Sequence, residues 1–386
     1  MKYSILMFLL VTFCVSCSKD PQISKKQSDE FVKFFGSAGM DSSAQVLSVD
    51  GGYLMLASER AGSEFRACIY KTDKNGNQLS RTVLCDTLSL VASAFVAAND
   101  GGYWVCGTTP VLEDSATQTY SDNVFLAKVS SEFTTTSISC IPAVNPDVKS
   151  VATDEDGAVY MACTSKSISG MSNILCIKAD EQGEIWGKYF GGVGLNIGSG
   201  IAFYSGSIYI IGNSNDFKEF GQEKQNIVIL NLNKDGQILD RMTYGGTGND
   251  YGYSLTTYGG KLYASGSVFS DNDYSDGWLA CFSGDLHNPE WTSTTHTRGY
   301  DELRSLSVGE TGIVASGYTT DESLRTKNIY ITRFSLDGTL LNEFVTGGND
   351  NEIARSVTMA PDGQPVVTGT VYADADAVLF MLKTKL

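Results

Sequence analysis

Carboxylates at recurring positions are the groups in this sequence best placed for chemistry. Asp41, Asp250, Asp301 and Asp350 each follow a glycine-bearing stretch and precede an alternating run of apolar and polar residues. Oxygens brought together from several such loops would suit Ca²⁺, which takes about six to eight oxygen ligands, or a cationic or hydroxyl-rich ligand. A second acidic set lies in longer stretches at Glu113–Asp122, Asp216–Glu223, Ser270–Asp276 and Tyr372–Ala377. The third of these, SDNDYSD with Asp271, Asp273 and Asp276, has alternating oxygens but lacks the glycine and closing glutamate of a helix–loop–helix calcium loop. The competing reading is that each aspartate caps the backbone N–H groups of its own loop. Tyr120, Tyr274, Trp278 and Tyr318, within or beside the longer stretches, either offer faces to sugar rings or simply pack.

Other reactive constellations are sparse. Only two histidines occur, His287 and His296, placed in the sixth copy of the repeat described below, near its fourth strand and so at the periphery. No G-x-S-x-G nucleophile turn exists, so a Ser/His/Asp triad has no foundation. Beyond residue 17 the cysteines are Cys68, Cys85, Cys106, Cys140, Cys163, Cys176 and Cys281, with no C-x-x-C pair among them. Their apolar settings read as small buried hydrophobes rather than a disulfide framework or a zinc site.

The elements that position these residues repeat. A turn-plus-strand unit recurs as DGGYLMLAS from Asp50, DGGYWVCGT from Asp100, DGAVYMACT from Asp156, SGSIYIIGN from Ser205, GGKLYASGS from Gly259, ETGIVASGY from Glu310 and DGQPVVTGT from Asp362. The turn residues Gly51, Gly101, Gly157, Gly206, Gly260, Thr311 and Gly363 are spaced 50, 56, 49, 54, 51 and 52 apart. Each unit reads as an alternating strand, a tight turn, a strand ending in a small residue, a variable loop, and two further strands joined by a turn such as DKNGN or NKDGQ. Four short antiparallel strands per ~50 residues describe a β-propeller blade, so the expected fold is all-β with seven blades. The last copy stops after its third strand, whereas Asp29–Ser37 (DEFVKFFGS) is a strand without a copy of its own. The N-terminal strand should therefore complete the last blade and close the ring, leaving no orphan edge.

The stretches WGKYFGGVG at Trp186 and MTYGGTGND at Met242 resemble the W-x-K-x-[YF]-G-G-x-x-x-D propeller repeats of Bacteroidetes surface proteins. The resemblance runs through nearly the whole mature chain and departs in the second and third copies, where Cys85 and Cys140 fall near the glycine-pair position. It implies a propeller at the cell surface and no common reaction. Two catalytic propeller patterns fit poorly. DEQGEIW (Asp180–Trp186) sits where sialidase-type propellers carry an Asp box, but its Asp stands three residues before Gly183 rather than two. Four tryptophans cannot supply one for each blade, as quinoprotein dehydrogenases do.

The N-terminus is a targeting segment. Lys2 precedes a short apolar run, Ile5–Val15, too brief to span a bilayer as a helix. The run ends at Cys17, in a setting that resembles a bacterial lipobox with Cys14 where Leu is usual. Ser18–Asp20 resembles a surface-export tag. This predicts residues 1–16 as a lipoprotein signal, 17–28 as a lipidated tether beginning at Cys17, and 29–386 as one propeller. The 28 basic and 44 acidic residues leave a net charge of −16, and removing residues 1–16 takes one lysine and no acid, giving −17. No basic patch suited to phosphates appears, so nucleic acid is not an expected partner. The expectation is a monomeric propeller on the bacterial outer membrane, held by its lipid alone. It would bind a glycan or protein without catalysis through its acidic loop face, with Ca²⁺ a possible ligand and no cofactor required. The alternatives are a carboxylate-dependent polysaccharide lyase or hydrolase at the channel mouth, and a structural subunit of an outer-membrane assembly.

Overall fold

The structure, a computed structural model, describes residues 30–36, 39–114, 119–167, 170–216, 224–269, 274–297, 299–320, 326–373 and 376–386. Their strands form seven four-stranded antiparallel sheets arranged as a ring, a seven-bladed β-propeller. The innermost strands, in ring order, are Ser42–Val49, Val91–Ala97, Pro146–Thr153, Asn196–Tyr204, Tyr251–Tyr258, Asp301–Gly309 and Asn351–Met359. Blades 1 to 7 are numbered in that order. The signal segment, Cys17 and the tether lie outside the described residues.

Alternation makes both blade faces apolar in the middle strands, because each blade is covered on both sides by a neighbour. Gly52–Ala61, for example, is buried at eight successive positions. Seven hydrophobic clusters result, one at each blade–blade interface. Trp278 is fully buried in the cluster between blades 4 and 5.

The ring closes as expected. Phe31–Phe35 pairs with Asp376–Lys383 in register Phe31↔Lys383 through Phe35↔Leu379 and becomes the outermost strand of blade 7. Phe35 turns into the interface between blades 7 and 1 and meets Tyr70 edge-on, with ring centroids 5.4 Å apart.

One irregularity recurs in every blade. Each innermost strand carries a bulge near its start, and the residue skipped in the pairing is Ala44, Ser93, Lys149, Ser199, Tyr253, Arg304 or Arg355. The bulge brings a backbone carbonyl of the first strand against the facing residue of the second. A Cβ at Gly212 would collide with the Ile197 carbonyl, and one at Gly317 with the Glu302 carbonyl. This is why the second strand of each copy ends in a small residue.

Candidate functional site

The carboxylates Asp41, Asp250 and Asp301 occupy one structural position, three residues before the skipped residue of their own innermost strand. Asp41, Asp250 and Asp301 are all at most 1% exposed. Asp250 accepts the Gly246 amide on one oxygen and the Phe269 amide on the other, both at 2.8 Å. Asp41 accepts the Arg60 amide at 2.9 Å. Asp301 accepts the Thr297 hydroxyl at 2.6 Å and the Thr297 amide at 3.1 Å. Each carboxylate thus locks its own loop onto the end of its own second strand or onto the loop itself. Burial raises the pKa of Asp250 and Asp301 despite these hydrogen bonds.

The glycine pair belongs to the same device. A side chain on Gly245 would fall inside the Asp250 carboxylate, and one on Gly36 inside that of Asp41. In blade 4 the position is Asn196, whose amide donates to Asp216 at 2.6 Å while Asp216 accepts the Gly192 and Gly194 amides.

Asp350 is not the locking residue of blade 7. It is exposed, and Glu352, two positions later, is buried and accepts the Gly348 amide at 2.9 Å. Glu352 stands five residues after Gly347, as Asp41 does after Gly36 and Asp250 after Gly245, and three before the skipped Arg355, so glycine spacing and pairing register both select it over Asp350.

The other acidic candidates separate likewise. Asp276 is buried and its carboxylate pairs with His296 Nδ1 at 2.8 Å. Asp271 and Asp273 lie outside the described residues. Among the described residues no three His, Cys, Asp or Glu side chains converge as metal ligands do.

Among the aromatic candidates, Tyr274 meets Tyr300 edge-on at 5.3 Å. Trp278 offers no face, since its ring is fully buried against Tyr244; the alternation that carries it past the loop points it inward. The Tyr120 side chain lies outside the described residues. Both histidines lie in the fifth blade, not the sixth, because the ring counts from Ser42. Their side chains are exposed, with His287 beside Asp240. Cys68, Cys106, Cys163, Cys176 and Cys281 are buried, Cys85 is half-buried, Cys140 is exposed, and all seven are free thiols.

The central channel, ≈ 460 Å³, is lined by the seven innermost strands. All seven bulge residues line it, and three of them are cationic: Lys149, Arg304 and Arg355. Most of the remaining wall is serine, threonine and aliphatic side chains. Lys149 is held by Asp147 at 2.7 Å. Arg304 lies between the rings of Tyr253 and Tyr318, 5.3 Å from each centroid, and forms an ion pair with Glu302 at 2.8 Å. The Tyr318 hydroxyl donates to the other Glu302 oxygen at 2.6 Å. Burial and the Glu302 charge push the Tyr253 and Tyr318 phenols well above their ordinary range, so both are hydrogen-bond donors at neutral pH. This tyrosine–arginine–glutamate cluster was not legible from motif spacing, because its members come together only through the bulges and cross-strand pairing.

No family model matches the chain, and no curated protein matches it. Solved structures do resemble it in shape. The β-propeller domain of the trilobed protease from Pyrococcus furiosus, described as having an open velcro topology, superposes with a TM-score of 0.51 at 11% identity, covering 89% of this chain and 95% of that one. Extracellular domains 1–2 of Drosophila semaphorin 1b superpose with a TM-score of 0.50 at 11% identity, covering 92% of this chain and 85% of that one. At such identity the likeness establishes the propeller fold. Closure differs from the open arrangement, since here an N-terminal strand completes the last blade.

Proposed function

We propose that this chain is a lipid-anchored, non-catalytic binding or scaffold propeller of the bacterial cell surface, which presents its loop face to a glycan or protein. The observation that supports this reading is the repeated carboxylate lock. Inward-facing acids at Asp41, Asp250, Asp301 and Glu352 each accept a backbone amide, and Asp301 a hydroxyl as well, which holds the loops between blades as a preorganised platform. Preorganisation lowers the ordering cost of binding a large partner, which is what a recognition surface requires. The test has two parts. Metabolic palmitate labelling should depend on Cys17, with Cys17→Ala abolishing it. The soluble fragment from Asp20 should bind saturably to a member of an immobilised glycan or surface-protein panel, and a blank panel would reject the binding role.

A second reading, a structural subunit of an outer-membrane assembly, is favoured by apolar side chains on outermost strands. Val32, Phe34, Tyr189, Leu341 and Val345 are each about half exposed or more. A stoichiometric partner co-purifying through these blades and lost on Phe34→Asp would select it over a freestanding binder.

A further inference from the structure

In a chain with 44 acids and 28 bases, the channel mouth between blades 6 and 7 gathers cations. Arg304 and Arg355 are bulge residues of neighbouring innermost strands. Lys327 begins the third strand of blade 6, and its ammonium sits 4.0 Å over the Tyr318 ring. Glu302 is the carboxylate that faces them, and it is already engaged by Arg304 and Tyr318. Burial and the charges of Arg304 and Arg355 hold the Lys327 ammonium below its usual range, with Glu302 opposing them. Arg355 donates one terminal nitrogen to the Tyr372 hydroxyl at 2.8 Å, yet its Nε is buried with no hydrogen-bond partner. A buried guanidinium donor without an acceptor is a costly arrangement unless something supplies one.

We propose that Arg355 and Lys327 form a binding site for a small ring-borne carboxylate at the channel mouth. The planar guanidinium presents paired donors matched to a carboxylate, and Lys327 adds a second charge from the neighbouring blade. Arg304 is reserved by Glu302 and by its two tyrosine rings, so it shapes the site without taking the ligand. The hydroxyl-rich channel wall offers partners for the ring that carries the acid. The site stands independently of what the surrounding loops recognise.

The test is calorimetric titration of the soluble fragment from Asp20 with glucuronate, benzoate and neutral glucose. Glucuronate or benzoate should bind saturably while glucose does not, and the stronger of the two acids identifies a sugar-borne or an aromatic-borne carboxylate. Affinity should fall at least ~10-fold in Arg355→Gln and in Lys327→Met, and weaken with added salt as a charge contact does. Circular dichroism and the melting temperature check folding, and Lys327→Met keeps the test valid if Arg355→Gln fails to fold. Silence with both acids, binding of glucose equal to glucuronate, or unchanged affinity in a folded variant would overturn the proposal.

Discussion

The Ser356 hydroxyl accepts the Val46 amide at 3.1 Å, joining blade 7 to blade 1 across 310 positions of the chain. Thr358 does the same for the Ser48 amide, Ser305 and Ser307 for Val357 and Met359, and Gln45 for Phe95. The innermost strand of a blade has one edge with no strand beside it, and its N–H groups need acceptors. Hydroxyls and an amide from the adjacent blade supply them, so part of the ring is stitched at the channel as well as packed between the blades.

Replacing Ser356 by Ala removes the acceptor and leaves the Val46 amide unpaired in the seam. Stability to urea should drop by about 1–3 kcal/mol. Ser48→Ala, which leaves the seam amides and their acceptors in place, serves as the control and should stay within ~0.5 kcal/mol.

The two glycines of one pair should behave oppositely. Gly245→Ala drives a methyl into the Asp250 carboxylate and is expected to cost about 1–3 kcal/mol or more. Gly246 has open space where a Cβ would go, and Ala there keeps the amide that Asp250 accepts. Gly246→Ala should be neutral or stabilising by up to ~1 kcal/mol. Equal losses in chemical unfolding would refute the lock.

Neighbouring phenylalanines report on closure. Phe35 is 9% exposed and Phe34 is 64% exposed on the same closing strand. Phe35→Ala should cost about 3–5 kcal/mol, and Phe34→Ala about 0.5 kcal/mol or less. Similar midpoints for the two variants would mean the N-terminal strand contributes little to the ring.

Asp301 supplies a pH test. Burial raises its folded pKa above the unfolded value of ~3.9, so the folded chain holds the proton over a range where the unfolded chain has released it. Its contribution to stability is therefore fully present below the unfolded pKa and declines as pH rises through the folded pKa. The cost of Asp301→Asn, measured by urea unfolding between pH ~4 and ~7, should be largest at the acidic end. A cost that grows with pH would show that hydrogen bonding to the ionised carboxylate outweighs its desolvation.

The chain's local chemistry announces the architecture. Period-two alternation, turn glycines at near-constant intervals and an unclaimed strand at Phe31–Phe35 are all properties of neighbouring residues, and they specify seven blades and the strand that closes them. The glycine-pair and aspartate pattern was legible too, including its reading as a loop cap. What only the tertiary structure decided is where each side chain faces. A bulge shifts register by one residue, and in a strand one residue reverses the side. That shift sends Arg304 and Arg355 into the channel, while plain alternation along an unbulged third strand turns Trp278 into the core. Residues about 50 apart become neighbours at the mouth because blades stack side by side, and no local pattern in the sequence records that meeting.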